Sequence, residues 1–253
     1  MTIQPDRTLI LSAYRNADKR ILFLDYDGTL VPFCDCPGDS EMGIEVRSIL
    51  SNLSEDCRNT LYIISGRNKD FLSEQFAGIK AGLIAEHGFL VKKAGGKWTR
   101  PLDVSATWKP DVSMLFHEFS SRYAGTFLEE KESSVAFHYR TAGQEIGNKI
   151  RPAVRAKFAL LKNQYPKLEL MDGNNVLEIK PEDFNKGFVA TSIITEGDFD
   201  FILAAGDDLT DESLFSEITP EAFTLKIGSS PTAARFRIPT QTEFIGFLRE
   251  FSG

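Results

Sequence analysis

Short apolar runs that end at polar or glycine-rich turn signals recur along the chain and predict buried strands. These runs cover residues 20–25, 61–64, 83–85 and 201–205. Helical stretches lie between them, including residues 43–53 and 69–76. Strands that are apolar on both faces and alternate with helices are typical of a parallel, doubly wound α/β sheet, a Rossmann-like arrangement. Ligands bind such sheets at the carboxyl ends of the strands, so we expect the functional residues there.

The middle of the chain, from about residue 108 to 181, follows another pattern: helix, two strands, helix, two strands. The first helix has one apolar face, formed by Val112, Leu115, Phe116, Phe119 and Tyr123. Residues 133–140 alternate between apolar and polar positions, as a strand with one buried face does. We predict an inserted α/β unit at residues 106–181, with an antiparallel sheet whose second face is charged. The core then comprises residues 1–105 and 182–253.

The charged face of this predicted sheet has two explanations. Glu129 and Lys131 share a face of one strand, and Glu178 and Lys180 share a face of the last strand. Such a face either covers an active site as a cap or is simply exposed to water. The pattern of residues alone leaves both explanations open.

Charge and composition exclude some classes of function. The formal net charge of −7 argues against a nucleic-acid partner, since binding to phosphate backbones usually requires a basic surface. A small phosphorylated substrate remains compatible, because a metal ion and a few cations can reverse the local sign. The longest apolar runs are too short to span a membrane, and no secretory signal opens the chain. Three cysteines are too few for a disulfide framework, so we expect a cytoplasmic protein.

The strongest chemical signal is the motif DYDGTL, which follows directly from a predicted strand. Asp25 can attack phosphorus as a nucleophile, and Asp27 can serve as general acid and then as general base. A calcium-binding loop begins similarly, but it needs glycine at its sixth position and glutamate at its twelfth. This chain has Leu30 and Cys36 there, which excludes that loop. The remaining alternative is a pair of helix-capping carboxylates.

A second acidic motif, GDDLTDE, follows another predicted strand. Carboxylates so close together repel one another unless a cation neutralises them, and magnesium accepts a few carboxylates beside water and phosphate oxygens. Asp25, Asp207 and the backbone carbonyl of Asp27 could form such a site. The alternative is an acidic helix N-terminus, where carboxylates interact favourably with the helix dipole. We expect both, with Asp207 on the metal and Asp211 or Glu212 partly structural.

Two weaker motifs become informative beside these. Ser65-Gly66-Arg67 follows a strand and opens a helix, so the serine hydroxyl and backbone N–H groups can hold a phosphate. A serine N-cap explains this tripeptide equally well. Lys186, in the motif NKG, is most simply a solvated lysine. Because phosphoryl transfer needs a cation against the transferring oxygens, Lys186 is also a candidate for binding the phosphoryl group.

Other reactive residues form no recognisable motif. Cys34, Cys36 and Cys57 lack the four-ligand spacing of a structural zinc site. His117 lies within an apolar helical pattern, and we expect it to be a packing residue. No G-x-S-x-G sequence occurs, which argues against a serine hydrolase of that type.

In order along the chain, the four motifs resemble those of the haloacid dehalogenase superfamily of phosphotransferases. DYDGTL resembles the first motif, Ser65 the second, Lys186 the third and GDD the fourth. The resemblance implies that Asp25 is the nucleophile and Asp27 the acid/base. The implied phosphate-binding residues are Ser65, Gly66 and Lys186. The implied magnesium site comprises Asp25, Asp27, Asp207 and Asp208.

A closer resemblance is to the trehalose-6-phosphate phosphatases. The similar segments, in that family's order, are LDYDGTLVP, IISGR, AEHG, FLEEKESSVAFHYR, VLEIKP, NKG and GDDLTDE, from about residue 20 to 227. They include the insert, which would then be a sugar-recognising cap rather than a merely solvated unit. The substrate-binding residues implied by the resemblance are Arg67, Glu129, Lys131, His138, Arg140, Glu178 and Asn185.

The resemblance implies a phosphatase that converts trehalose 6-phosphate to trehalose and phosphate, with Mg²⁺ as cofactor and an aspartyl-phosphate intermediate. One alternative is a related enzyme acting on sucrose phosphate or mannosylglycerate phosphate. Another is a non-catalytic sugar-phosphate sensor, but such a domain would be expected to lack Asp25, Asp27 or Asp207, and all three are present. We expect no nucleic-acid or membrane partner. The protein partner that the resemblance suggests is a trehalose-phosphate synthase.

Overall fold

The computed structural model describes residues 6–32, 41–102, 105–173 and 175–252. The chain forms two compact units. The first, here called the core unit, comprises Met1–Pro101 and Asn185–Gly253, and the second, the insert, comprises Leu102–Phe184. The insert therefore begins four residues before the predicted boundary at 106 and ends three residues after the predicted boundary at 181.

The helices and strands alternate along the core unit and cluster by type in the insert. The strands are β1 Arg20–Asp25, β2 Asn59–Ile64, β3 Gly82–Ala85, β4 Leu90–Lys92, β5 Trp98–Thr99, β6 Phe127–Glu130, β7 Val135–His138, β8 Leu168–Gly173, β9 Val176–Pro181, β10 Phe201–Gly206, β11 Phe223–Ile227 and β12 Phe236–Ile238. The helices are α1 Arg7–Asn16, α2 Ile44–Glu55, α3 Lys69–Gln75, α4 Lys109–Ser120, α5 Gln144–Gln164, α6 Lys186–Thr195, α7 Asp211–Glu217 and α8 Gln241–Arg249.

The core sheet has eight strands in the order β12-β11-β10-β1-β2-β3-β4-β5. All six residues of β1 are buried, because β2 and β10 pair with its two edges and apolar side chains cover its faces. On one face, Ile21 and Phe23 belong to a buried cluster with Val189 of α6 and Leu214 of α7. The predicted α/β architecture is confirmed. The core strands that were predicted are present, with β1 at the expected bounds and the others longer by one or two residues.

The sequence predicted a parallel sheet, but the core sheet also contains antiparallel pairs. Strand β4 is antiparallel to β3, and β5 is antiparallel to β4. Only a tight turn at Glu86–Gly88 separates β3 from β4. A parallel neighbour would need a crossover of a dozen residues or more, so this short connection dictates the antiparallel pairing.

The insert has a four-stranded antiparallel sheet in the order β6-β7-β9-β8. Helices α4 and α5 supply Val112, Phe116 and Ile150 to a buried cluster with Phe137 and Ile179 on one face of this sheet. The predicted order of helices and strands is therefore present. Among the described residues of either unit, no helix is long and apolar enough to cross a membrane.

Candidate active site

The predicted catalytic motifs meet at the carboxyl ends of neighbouring parallel strands. Asp25 ends β1 and pairs with Ile64 of β2, which directly precedes Ser65. On the other side of β1, Leu24 pairs with Ala205, just before the loop that carries Asp207. The sheet register thus places the DYDGTL, Ser65 and GDD motifs at one edge, as the fold class requires.

A tight turn after β1 fixes the DYDGTL motif against the second acidic motif. Gly28 has a positive φ of 80°, and its N–H donates to the Val31 carbonyl at 2.7 Å. A Cβ at Gly28 would lie 2.3 Å from a carboxylate oxygen of Asp207, so only glycine fits there. The neighbouring Thr29 hydroxyl donates to Asp207 Oδ1 at 3.2 Å. The two motifs are therefore in direct contact.

Lys186 joins the same site as a buried cation. Its Nζ donates to Asp25 Oδ1 at 2.6 Å and to Asp211 Oδ1 at 2.7 Å, and its side chain is 2% exposed. Burial alone would lower the pKa of Lys186, but the carboxylates of Asp211 and Asp25 outweigh it and raise that pKa above its usual value. Lys186 therefore places a positive charge beside Asp25, the predicted nucleophile, and phosphoryl transfer needs a cation in such a position.

Three carboxylates surround a position suited to a cation. Oxygens of Asp25, Asp207 and Asp211 lie within 4.8 Å of one another. When ionised, these three carboxylates and the Lys186 ammonium together carry a net charge of −2, which one divalent cation would balance. An all-oxygen donor set is also what magnesium prefers. The residues present therefore fit a magnesium ion.

Burial and the neighbouring negative charges raise the pKa values of two of these carboxyl groups. Burial, followed by the negative charge of Asp211, raises the pKa of Asp207 to about 7. Burial also raises the pKa of Asp25 well above its usual range; Lys186 opposes this shift, and Asp211 and Asp207 add to it. Both carboxyl groups therefore lose their protons less readily than usual when no cation is bound, so ionisation of the site and binding of a cation favour each other.

Asp208 and Asp27, which were also predicted to hold the metal, have other contacts in the structure. Asp208 is exposed, and its Oδ1 accepts the N–H of Leu209 at 2.7 Å. The Asp27 carboxylate is bound by the Arg67 guanidinium, with Nε at 2.7 Å from Oδ2 and Nη2 at 2.6 Å from Oδ1. This two-point contact fixes the orientation of the predicted acid/base. Arg67 therefore lies at the predicted active site, in contact with its acid/base residue.

Ser65, which was predicted to bind phosphate, and Asn185, which was predicted to bind the substrate, both make hydrogen bonds to nearby backbone N–H groups. Ser65 is buried, and its hydroxyl accepts the N–H of Arg67 at 3.2 Å. Asn185 caps α6 by accepting the N–H of Phe188 at 2.8 Å, and its amide donates to Glu217 at 2.9 Å. Both of these Asn185 contacts are structural, and they fix the start of the helix that carries Lys186.

In the insert, the predicted sugar-binding residues share the polar face of the sheet. Glu178 lies on β9, opposite Ala136 of β7, which in turn lies opposite Glu129 of β6. Lys131 Nζ donates to Glu178 Oε1 at 3.1 Å, and both side chains are largely buried.

The end of this face carries a second acid–base pair. Glu129 Oε2 lies 2.9 Å from Nε2 of His138, and this contact lowers the pKa of Glu129. The half-exposed ring of Phe127 stacks on His138, with ring centroids 4.5 Å apart. Arg140 follows on a short 3-10 turn, Arg140–Ala142. The side chains of Glu129, His138 and Phe127 offer an acceptor, a ring nitrogen and an aromatic surface on one face of the sheet.

A comparison with known protein families shows which family has such a site. A family model described as Trehalose-phosphatase matches residues 23–241, which is most of the chain. The chain belongs to the trehalose-phosphatase family. The match includes both acidic motifs and the whole insert, so the resemblance inferred from the motifs is confirmed.

Individual members and solved structures agree with this family. A bifunctional trehalose-6-phosphate synthase/phosphatase from Thermoproteus tenax is 36% identical over 90% of this chain, which spans about a third (31%) of that relative. The C-terminal domain of a Candida albicans trehalose-6-phosphate phosphatase has a TM-score of 0.91 at 27% identity, covering 100% of this chain and 98% of that one. The C-terminal domain of a Candida albicans trehalose synthase regulatory protein shares the fold alone, with a TM-score of 0.74 at 16% identity over 98% and 99% of the two chains.

The structure adds detail to the expectations for several single residues. Asp211 was expected to be partly structural; it is fully buried and accepts a hydrogen bond from Lys186, a contact that the sequence did not indicate. His117 was expected to pack, and this was wrong, because it is exposed on α4. Cys57 is an exposed free thiol, and Cys34 and Cys36 lie outside the described residues.

Proposed function

We propose that this member of the trehalose-phosphatase family is a magnesium-dependent enzyme that hydrolyses trehalose 6-phosphate to trehalose and phosphate. The observation that carries the proposal is the buried Asp25 carboxylate, bound to the Lys186 ammonium and grouped with two further carboxylates at the end of a parallel strand. A nucleophile, a fixed cation and a cation-binding group are the parts that phosphoryl transfer through an aspartyl-phosphate needs.

In the first step, a carboxylate oxygen of Asp25 attacks phosphorus, and the bond between phosphorus and the sugar oxygen breaks. Asp27 in its protonated form gives its proton to that oxygen, so trehalose leaves as a neutral alcohol. The Lys186 ammonium stabilises the negative charge on the phosphoryl oxygens. The Ser65 hydroxyl and the Gly66 N–H hold the phosphoryl group in line with Asp25.

In the second step, Asp27 acts as a base and takes a proton from water. That water attacks phosphorus, the bond between phosphorus and Asp25 breaks, and inorganic phosphate leaves. We infer that Asp25, Asp207 and the backbone carbonyl of Asp27 hold the magnesium ion, with Asp211 fixing Lys186 beside them. When bound, the ion neutralises charge on the phosphoryl group.

The polar face of the insert is proposed to bind the disaccharide. Glu129, Lys131 and Glu178 supply hydrogen-bond acceptors and a donor, which suits a ligand with many hydroxyl groups. Sites built to hydrogen-bond hydroxyls reject ligands that lack them, because buried polar groups are then left unpaired. This supports trehalose 6-phosphate over glucose 6-phosphate, which has only one sugar ring.

The test is phosphate release from a panel of sugar phosphates, with Mg²⁺ and with a chelator. We expect the highest kcat/KM for trehalose 6-phosphate, and no activity with the chelator or with Asp25→Asn. A preference for sucrose phosphate or mannosylglycerate phosphate would identify a related sugar phosphatase. Binding of the sugar phosphate without any phosphate release would instead identify a sensor, a role that the shared fold alone does not exclude.

We also infer that a trehalose-phosphate synthase supplies the substrate in the cytoplasm. The Thermoproteus tenax relative is named as a synthase and a phosphatase in one protein, and this chain matches 31% of its length. A coupled assay with a synthase, in which trehalose appears without accumulation of its phosphate, tests the functional link.

A further inference from the structure

The turn that joins β3 to β4 has an unusual backbone. Glu86, His87 and Gly88 have φ values of 51°, 58° and 113° in succession. The left-handed region is unfavourable for residues that carry a Cβ, and two of these three do. Such conformations persist where the surroundings hold them in place, and they concentrate at functional sites.

Two backbone hydrogen bonds connect this turn to the Ser65-Gly66-Arg67 segment, which was predicted to bind phosphate. The N–H of His87 donates to the carbonyl of Ser65 at 2.9 Å, and the N–H of Glu86 donates to the carbonyl of Arg67 at 3.0 Å. The two donors thus hold the Ser65–Gly66 peptide and the carbonyl of Arg67, one residue further along the same loop. The left-handed backbone is what directs successive N–H groups of the turn toward the same loop.

Side-chain packing adds a third contact to the same loop. A Cβ at Gly66 would lie 2.5 Å from Nε2 and 2.6 Å from Cε1 of His87, so the imidazole edge rests directly on the Gly66 backbone. The turn also approaches the other phosphate-binding segment. A Cβ at Gly88 would lie 2.8 Å from the carbonyl oxygen of Asn185, the residue before Lys186.

We propose that the Glu86–Gly88 turn positions the site for a phosphoryl dianion, and that His87 is its positioning residue. The imidazole supports the Gly66 peptide, so that the Ser65 hydroxyl and Gly66 N–H face the phosphoryl oxygens. Gly88 lies against the start of α6 and fixes the segment that carries Lys186. This proposal rests on the proposed function, and it explains why a histidine, and not a glycine, occupies the left-handed backbone conformation at position 87.

Replacing His87 distinguishes the effect of its backbone conformation on stability from the effect of its imidazole ring on activity. His87→Gly removes the unfavourable left-handed conformation, so the midpoint of urea unfolding should stay the same or rise. Loss of the ring should nevertheless lower kcat/KM for the sugar phosphate by about 10- to 100-fold, since small displacements of phosphate-binding groups have effects of that size. His87→Asn, which tolerates the same backbone, should show the same loss. Wild-type kinetics in either variant would overturn the role of the ring.

A second substitution tests the contact between the ring and Gly66. Gly66→Ala alone places a methyl group against the imidazole and should lower kcat/KM by at least about tenfold. In the Gly66→Ala/His87→Gly double variant the methyl group occupies the space that the ring leaves. We therefore expect the double variant to lose less than the product of the two single losses. Losses that simply multiply would show that the two residues do not act through this contact.

Asn175→Gly is the matched control, because Asn175 is the other described non-glycine residue with positive φ, at 61°, and lies in the insert. It should leave kcat/KM unchanged. Affinity for inorganic phosphate, measured by calorimetry with Mg²⁺, separates this proposal from the proposed function. A wild-type protein that hydrolyses nothing would refute the function, whereas equal phosphate affinity in wild type and His87→Gly would refute the positioning role.

Discussion

The ionisation of Asp207 predicts how the stability of the metal-free protein depends on pH. Burial and the charge of Asp211 raise the pKa of Asp207 from 3.8 to about 7. A carboxyl group with a raised pKa in the folded state stabilises the fold fully below its unfolded pKa, and this contribution is lost as pH rises through the folded pKa. The difference between a pKa of 3.8 in the unfolded chain and about 7 in the folded protein corresponds to about 4 kcal/mol of unfolding free energy, which is lost between about pH 4 and pH 8.

Asp207→Asn removes this dependence while keeping the size of the side chain and an oxygen that can accept the hydroxyl of Thr29. Without metal, the unfolding free energy of the variant should exceed that of the wild type by about 1.5 kcal/mol at pH 5 and by up to about 4 kcal/mol at pH 8.5. Added Mg²⁺ should stabilise the wild type at pH 8.5 and stabilise the variant much less, because a ligand that binds only the folded state adds to its stability.

Urea unfolding at pH 5 and pH 8.5, with a chelator or with Mg²⁺, measures both effects. Asp208→Asn is the matched control, since it removes the adjacent carboxylate, which is exposed. It should not reproduce the gain at pH 8.5. The reasoning fails if metal-free Asp207→Asn is less stable than the wild type at pH 8.5, or if both variants change stability equally.

Three further predictions concern activity. Asp25→Asn should abolish phosphate release without lowering the urea midpoint, because it removes the nucleophile and a buried charge; residual turnover near the wild-type rate would contradict the mechanism. In Lys186→Met, the loss of activity on the acid side of the pH–rate profile should begin at a higher pH, since Lys186 lowers the pKa of Asp25. An acid side at the same pH as in the wild type would count against this. Glu178→Ala should lower kcat/KM about 10- to 100-fold for trehalose 6-phosphate but little for an aryl phosphate, and equal losses would show that the insert does not recognise the sugar.

The sequence predicted best what depends on local pattern. Strands β1 and β10 are buried on both faces, so each is a continuous apolar run that polar residues follow, and Asp25 and Asp207 were identified from those ends. Strands β4 and β5 were not predicted, because they have three and two residues and are too short to show a period.

What the sequence could not give depends on contacts between distant residues. The two-point contact of Arg67 with Asp27 joins residues 40 positions apart, and neither motif indicates the other as its partner. His117 was misjudged for a different reason. It lies among apolar residues in the chain, but on the helix it points away from Val112 and Phe116, which face the sheet.

The insert interrupts the core unit in the sequence, and this affects the order in which the two units fold during synthesis. Strand β1 needs β10 along one edge, and Arg20 pairs with Phe201, a separation of 181 residues. Every strand of the insert lies between Phe127 and Pro181, so the insert is complete on a growing chain before Phe201 leaves the ribosome. Because distant pairings form slowly, the later-starting insert is expected to fold first during synthesis. The nascent core meanwhile holds β1 with an unpaired edge, which is the stage at which a chaperone would have most to protect.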